Sequence, residues 1–353
     1  MADVQKHLEA FNSKIRLGRF KEEQTLRDKR DIIRNKLLVN LPAVFAKYNE
    51  PNLVPRFRDQ GSYEMKTGIR PLNGDFDIDQ GVYFDVSTTD YPDPVKLKER
   101  VDEALVGHTN KVRVRRPCVT VFYQRDGESV YHVDLAVYSA GSANRDGKDY
   151  LAMGRLGSAD EHRFWQVSDP EGLAEEIYRR FEEDEPARHQ FRRVIRYLKR
   201  WRAVNFPQDG SGAPRGIALT VDAHYGFDPA YTDRVAKTPD DLRALRSLVV
   251  AVLARFTDVY DSDSKTWVRR VRTTLPVEPR SDLYEKMTGT QATTYEEKLK
   301  GLRDALDSAI GEVDPVEACK TLRRVFGDDF PVPEKAATAQ RVGPAVASSA
   351  SAA

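Results

Sequence analysis

Residues 60–85 read QGSYEMKTGIRPLNGDFDIDQGVYFD, and this stretch decides the fold. It has a small-residue turn at Gly61-Ser62, a polar connection, and a short segment at residues 76–79 in which apolar and acidic residues alternate. Such alternation predicts a half-buried strand with Asp77 and Asp79 on the face opposite the core. Two carboxylates on one face repel each other, so a fold tolerates them best when a cation lies between them.

A Gly-Ser turn followed by a loop and an alternating acidic strand resembles the signature of the polymerase-β-like nucleotidyltransferases. Gly61-Ser62 would let backbone N–H groups and a hydroxyl approach a triphosphate closely. Asp77 and Asp79 would hold Mg²⁺, which takes oxygen ligands and bridges to substrate phosphates. The alternative is a polar loop followed by an edge strand with a solvated face. Asp75 lies nearer the turn, and we expect it to be solvated or to support the other two aspartates.

Composition narrows the class of protein. The chain has 353 residues, 40% of them hydrophobic, and can bury one large core or two modest ones. The net charge of +1 gives no global basic bias toward nucleic acid, which we therefore do not expect as a substrate. Cys118 and Cys319 lie far apart, which fits a reducing cytoplasm and argues against a zinc site. The sequence has no apolar leader and no long apolar run, so we expect a cytoplasmic protein without a membrane span.

A third carboxylate follows in a predicted hairpin. Two β-rich runs, 118–124 and 130–138, are separated by a segment containing Asp-Gly, a strong hairpin signal. In the second run Asp134 is a single carboxylate on the face opposite the valines and leucine. A buried unpaired aspartate is costly, and a third metal ligand beside the first two would explain it. The alternative is a solvent-facing strand residue. His132 lies on the same face and is given no role.

The rest of the sequence is largely helical in pattern. Residues 4–20 and 21–48 have apolar residues at helical spacing, and Pro42 is expected to kink or divide the second helix. From residue 166 onward the pattern is almost wholly helical. In the helix predicted over 187–204, Lys199 lies at an edge of the apolar stripe.

Lys199 could therefore reach into a cleft while its stem stays buried, or it could be a surface lysine. We predict an α+β protein with a mixed sheet in a nucleotidyltransferase core and N-terminal helices (1–165). A helical domain (166–333) and a disordered tail (334–353) would follow.

The order of these features resembles the CD-NTase family, the bacterial relatives of cyclic GMP-AMP synthase, and in particular its DncV-like branch. The resemblance covers about residues 20–333. It rests on these segments: Gln60-Gly61-Ser62-Tyr63, residues 76–83, residues 132–135, residues 165–170 and Arg196-Tyr197-Leu198-Lys199.

The resemblance implies residue roles. Asp77, Asp79 and Asp134 would be the catalytic, metal-binding carboxylates, with two Mg²⁺ ions or Mn²⁺ in their place. The expected nucleotide-binding residues are Gln60, Gly61, Ser62, Tyr63, Lys199 and Asp282. Asp282 resembles an acidic position near a nucleobase; the alternative is that it caps a helix starting at Ser281-Asp282. Relatives have serines where this chain has Arg215-Gly216, so a hydroxyl contact to phosphate would be missing or replaced by a backbone N–H or by Arg215.

The resemblance also implies an activity, the synthesis of a cyclic di- or trinucleotide second messenger from ATP, GTP and other NTPs in CBASS antiphage defence. Pyrophosphate would be released. Partners in the operon would regulate the enzyme or conjugate its C-terminal tail. Two other activities stay open: a template-independent nucleotidyltransferase with an RNA or protein acceptor, and an inactive nucleotide sensor.

Overall fold

A computed structural model describes residues 2–17, 21–72, 74, 76–125 and 128–334. Within these ranges, the side chains of 21–26, 125 and 128–130 are not described. Asp75, the tip of the predicted hairpin and all but the first residue of the predicted tail lie outside the described residues.

Helices and strands alternate irregularly along the chain. The helices are α1 (Gln5–Ile15), α2 (Lys21–Lys47), α3 (Gly61–Glu64), α4 (Pro94–Ala104), α5 (Pro170–Arg179), α6 (Glu185–Asn205), α7 (Gly216–Gly226), α8 (Asp241–Leu253), α9 (Gly289–Gly311) and α10 (Pro315–Phe326). The strands are β1 (Arg56–Asp59), β2 (Phe76–Phe84), β3 (Lys111–Val114), β4 (Val119–Arg125), β5 (Glu128–Ser139), β6 (Tyr150–Met153), β7 (Phe164–Val167), β8 (Tyr231–Asp233), β9 (Thr238–Pro239), β10 (Phe256–Asp261) and β11 (Thr266–Val271). The α+β fold class predicted from the sequence is confirmed.

The sheet is mixed, as predicted. Its strand order is β1-β2-β5-β4-β3, and β6 and β7 continue from β5. Strands β2 and β5 are parallel, and the other pairs are antiparallel. Helices α2 and α4 supply the buried apolar residues that pack on one face of the sheet, where Ile78 and Val133 lie. Strand alternation leaves Asp77, Asp79 and Asp134 on the opposite face.

A second core surrounds α6. The predicted apolar stripe of α6 is confirmed, since Phe191, Leu198 and Trp201 are all buried there. At about 100° per residue along the helix, the sequence predicts that Arg200 points away from this stripe, but Arg200 is 1% exposed, so that prediction is wrong. Its Nη2 donates to the carbonyl of Arg70 at 2.7 Å, which explains why the fold buries a guanidinium here.

Helix α1 packs in this second core rather than against the sheet. Leu8, Phe11 and Ile15, the apolar residues that predict the helix, are all fully buried there. The boundary at residue 165 therefore does not describe the packing of the first helix. The division into domains stays an interpretation of the sequence.

Two expectations about secondary structure are corrected: α2 is not divided at Pro42, and the region after residue 166 is not almost wholly helical, while a kink at Pro42 stays a prediction. Helix α2 continues through Pro42 without division, because Leu41 and Phe45 on either side keep the buried stripe in place and outweigh one lost hydrogen bond. The region after residue 166 is less helical than predicted, since β10 and β11 form an antiparallel hairpin. The aromatic residues Tyr260 and Trp267 are exposed on this hairpin, so apolar and polar residues do not alternate clearly along its two strands. Among the described residues, no helix is both long and apolar enough to cross a bilayer.

Candidate active site

The polar face of the sheet brings four titratable side chains together. In the parallel pair β2 and β5, Asp77 lies opposite His132 and Asp79 lies opposite Asp134. Because side chains alternate along a strand, all four project from the face opposite the core residue Ile78. The predicted convergence of acidic residues from two separate segments is therefore a consequence of strand register.

Asp77, His132 and Asp134 could hold a metal ion. Each offers one ligand atom, and these atoms lie within 4.8 Å of one another. Nε2 of His132 is 3.2 Å from Oδ1 of Asp77, and half of the Asp77 side chain is exposed. Two carboxylates and an imidazole fit a divalent cation, and the carboxylate oxygens suit Mg²⁺ or Mn²⁺. The sequence alone assigns no role to His132, although the pattern of alternation places it on the face of Asp134.

The carboxylate of Asp79 is turned toward the Gly-Ser turn. Gly61 has φ +66°, and a Cβ at this position would overlap Oδ2 of Asp79. Only glycine allows both this backbone conformation and this close approach. Asp79 therefore packs beside the turn and is not in the group of three with Asp134. Metal binding by Asp79, one of the three predicted ligands, stays a prediction.

The acidic cluster is short of positive charge. Burial raises the pKa of Asp79 to about 7, and repulsion from Asp77 and Asp134 adds to the effect. Burial also raises the pKa of Asp134, again with help from Asp77. The Thr120 hydroxyl donates to Oδ1 of Asp134 at 2.5 Å and opposes that rise. A bound cation would favour the ionised forms of both carboxyl groups.

Lys199 reaches the site from α6. The residue is 8% exposed, and Nζ donates to the Thr67 carbonyl at 3.2 Å and to the Thr67 hydroxyl at 3.0 Å. Burial lowers its pKa to about 7, with Arg196 adding to the effect, while Asp79 opposes it. The prediction of a surface lysine is thus wrong, and the alternative of a buried stem pointing to a cleft agrees with the structure.

One cavity of about 670 Å³ joins these groups. Its walls include the turn Gly61-Ser62, the three aspartates, Lys199 and the residues Gly216 and Ile217. The last two begin α7, which has no side-chain N-cap, so their N–H groups suit a phosphate oxygen. The sequence leaves open whether a backbone N–H or Arg215 would replace the serine hydroxyl contact to phosphate. This geometry favours the backbone N–H, because Arg215 is exposed and is not on the cavity wall.

Two predicted nucleotide-binding residues have other contacts. Gln60 lies on the cavity wall, but its Nε2 donates to the Tyr83 hydroxyl at 2.8 Å and its Oε1 accepts from Tyr138 at 3.3 Å. Tyr63 lines a neighbouring cavity, and its hydroxyl accepts from Nε of Arg27 at 2.7 Å. Contacts of Gln60 and Tyr63 with a nucleotide stay predictions.

Asp282 lies away from the acidic cluster and lines a different cavity. Its Oδ1 accepts from the N–H groups of Thr273 at 3.1 Å and Tyr284 at 3.0 Å. These bonds hold residues 283–286 in turns, so the expected helix and the capping role of Asp282 are wrong. A contact between Asp282 and a nucleobase stays a prediction.

Comparison with known proteins agrees with this geometry. Residues 55–138, which contain the turn and all three aspartates, match the family model described as the nucleotidyltransferase domain of cyclic GMP-AMP synthase DncV-like proteins.

The structure as a whole is similar to that of Vibrio cholerae DncV. The apo form of DncV aligns with a TM-score of 0.67 and 19% identity, over 93% of this chain and 96% of DncV. The complex of DncV, a cyclic AMP-GMP synthase, with a linear intermediate aligns with a TM-score of 0.64 and 19% identity, over 93% of this chain and 95% of that one. The complex with nonhydrolyzable GTP aligns with a TM-score of 0.67 and 18% identity, over 93% and 96%. At this identity the likeness shows the fold.

The CD-NTase resemblance read from the sequence is confirmed by the family model and the shared fold together.

Proposed function

We propose that this chain, a protein of the CD-NTase family, joins NTPs into a cyclic di- or trinucleotide and releases pyrophosphate at each step. The observation that carries the proposal is one cavity whose wall holds Asp77, Asp79 and Asp134 beside the Gly61-Ser62 turn and Lys199. Carboxylates and a phosphate-binding turn in one cleft are what nucleotidyl transfer requires. Asp77, Asp134 and His132 are the side chains that would hold a divalent cation.

The chemistry is an in-line displacement at phosphorus. A 2′- or 3′-hydroxyl of one nucleotide attacks the α-phosphorus of another and loses its proton to solvent, a new P–O bond forms, and the bond to pyrophosphate breaks. When bound, two divalent cations, Mg²⁺ or Mn²⁺, lower the pKa of the attacking hydroxyl and neutralise charge on the phosphates.

The protein supplies position and electrostatic stabilisation. Gly61-Ser62 and the first N–H groups of α7 would orient the triphosphate of the donor NTP, the one attacked at its α-phosphorus. The nearby phosphate charge would favour the protonated form of Lys199, which would then stabilise the leaving pyrophosphate. Asp79 would hold the Gly61-Ser62 turn in position beside the metal ligands. The last transfer would close the ring in the same cavity, whose volume lies within the range of ligand-binding cavities.

We extend the proposal to the biological role that the resemblance implies. The cyclic product would act as a second messenger in antiphage defence, with ATP and GTP among the substrates. Operon partners would regulate the chain or conjugate its C-terminal tail. The matched DncV structures, described as those of a cyclic AMP-GMP synthase with a linear intermediate or a GTP analogue, support the substrate class.

The test is incubation of the purified chain with Mg²⁺ and labelled NTPs, followed by phosphatase treatment. We expect a phosphatase-resistant product from the wild type and none from Asp77→Ala or Asp134→Ala. Asp160→Ala is the matched control, because its carboxylate is exposed and lies outside the cavity wall. Full activity in Asp134→Ala would contradict the metal assignment. Label transferred only to added RNA would favour the RNA-acceptor alternative.

A further inference from the structure

A row of basic side chains continues the polar face of the sheet beyond the acidic cluster. Lys111 and Arg113 lie on β3, the edge strand, and Arg115 follows the strand directly. Their neighbours Val112 and Val114 pack against the sheet core, so the basic residues project from the same face as the aspartates. We call these three residues the basic strip.

Strand register connects the basic strip to the catalytic face. Arg113 lies opposite Thr120 on β4, and Thr120 lies opposite Asp134 on β5. Two strand spacings therefore separate Arg113 from Asp134, about 10 Å along the sheet. In the next row of residues across the same three strands, Lys111 lies opposite Phe122, and Phe122 lies opposite His132.

Two residues of the basic strip, Lys111 and Arg115, lie over one aromatic ring, that of Phe122. Nζ of Lys111 is 4.7 Å from the centre of the Phe122 ring, and Cζ of Arg115 is 5.2 Å from it. The same ring is 6.1 Å from the ring of His132. Two cations on one ring repel each other, and cation–π attraction of about 0.5–1 kcal/mol each at exposed sites offsets only part of that cost.

The cations of the basic strip have no acidic partner among the described residues: none places a carboxylate within 4.0 Å of their charged groups. Two other basic residues of this part of the chain do have such partners, since Arg100 pairs with Glu50 and Arg163 pairs with Asp93. Arg115 is nevertheless close enough to Asp134 to oppose the burial that raises the pKa of that carboxyl group. The strip thus offers positive charge beside the reacting centre without an ion pair to any carboxylate in the described part of the chain.

The proposed reaction needs such a site. Its two substrates each carry a triphosphate, and Gly61-Ser62 with Lys199 can serve only the donor. The second NTP, the acceptor, presents a 2′- or 3′-hydroxyl to the acidic cluster, and its own triphosphate lies at the far end of its ribose. Pro117 and Cys118 line the cavity and follow directly on Arg115 and Arg116, so the strip begins where the cavity wall ends.

We propose that the basic strip binds the 5′-triphosphate of the acceptor nucleotide, and therefore that of the linear intermediate as it forms. This inference rests on the proposed function. Lys111, Arg113 and Arg115 would set the preference for triphosphorylated acceptors without taking part in the bond changes.

The test separates acceptor from donor. Donors are 2′,3′-dideoxy-NTPs, which can give a nucleotide but cannot accept one. The acceptor is an α,β-methylene NTP, which keeps its hydroxyls and triphosphate but cannot act as a donor, or the corresponding nucleoside monophosphate. We expect Arg113→Gln/Arg115→Gln to raise KM for the NTP acceptor about tenfold, which corresponds to about 1.4 kcal/mol. KM for the monophosphate acceptor and for the donor should stay unchanged. Lys96→Gln is the matched control, because Lys96 is exposed on α4, which covers the opposite face of the sheet.

Each outcome decides a different claim. A wild-type chain that makes no product from ordinary NTPs contradicts the proposed function, and the inference falls with it. If the wild type is active, two results for KM contradict the inference alone. In one, the double variant keeps the wild-type KM for the NTP acceptor. In the other, KM rises equally for the NTP and the monophosphate acceptor. A double variant that loses only extension of an RNA oligonucleotide also contradicts the inference alone, because the strip would then bind RNA. Melting temperatures of all variants show whether a loss comes from unfolding.

Discussion

Asp79→Asn should stabilise the protein without divalent cations, and more strongly as the pH rises. Burial and two neighbouring carboxylates raise the pKa of Asp79 to about 7, so the folded chain keeps a proton that the unfolded chain has lost above its ordinary pKa of 3.8. Folding therefore becomes less favourable as pH rises from about 4 to about 7, and the full cost persists above pH 7. Asparagine does not titrate and escapes this cost.

The magnitude follows from the two pKa values. Between 3.8 and about 7 the difference corresponds to about 4 kcal/mol at high pH, as an upper limit, and to about 1.7 kcal/mol at pH 5. The gap in unfolding free energy between variant and wild type should thus widen by about 2–3 kcal/mol from pH 5 to pH 8. Any effect of the substitution that does not depend on pH cancels in this comparison.

The assay is urea unfolding of both proteins at pH 5 and pH 8 with a chelator present. Asp160→Asn is the matched control, since Asp160 is exposed and lies outside the cavity wall, so its substitution leaves the acidic cluster unchanged. A gap for Asp79→Asn that is equal at both pH values, or smaller at pH 8, would refute the reasoning about this cluster.

Three further predictions concern the same site. Added Mg²⁺ or Mn²⁺ should raise the melting temperature more at pH 8 than at pH 5.5, because protons on Asp79 and Asp134 compete with the cation; an equal shift at both pH values would count against the site. Lys199→Met should lower kcat about 100-fold in a steady-state assay, because the cation that stabilises pyrophosphate is removed. The melting temperature should stay the same, because the methionine side chain fills the space of the buried lysine stem. An unchanged kcat would exclude a role in pyrophosphate departure. Gly61→Ala should lower the melting temperature more than Gly74→Ala, since both have positive φ but only the first would meet Asp79, and equal losses in calorimetry would contradict that contact.

Much of the site could be predicted because strand periodicity carries it. Asp77 and Asp79 alternate with apolar residues on β2, and Asp134 does so on β5, so their common face follows from the letters alone. What the letters do not contain is the register between strands. It is register that sets His132 beside Asp77 and turns Asp79 toward Gly61.

The C-terminal half shows where sequence patterns lose information. Arg200 has a polar side chain that the fold buries against the carbonyl of Arg70, a contact 130 residues away along the chain. Asp282 has the local pattern of a helix cap, but its hydrogen bond to Thr273 ties it to the end of a hairpin instead. In both cases a long-range backbone contact overrides the local preference.

The mass of the product made from NTPs and Mg²⁺ tests the central claim most directly. A cyclic oligonucleotide consists only of nucleoside monophosphate units joined in a ring, with no terminal phosphate. The account predicts such a mass from the wild type and its absence from Asp134→Ala. A product that keeps a 5′-triphosphate and never closes, or no product from any NTP mixture, would contradict it.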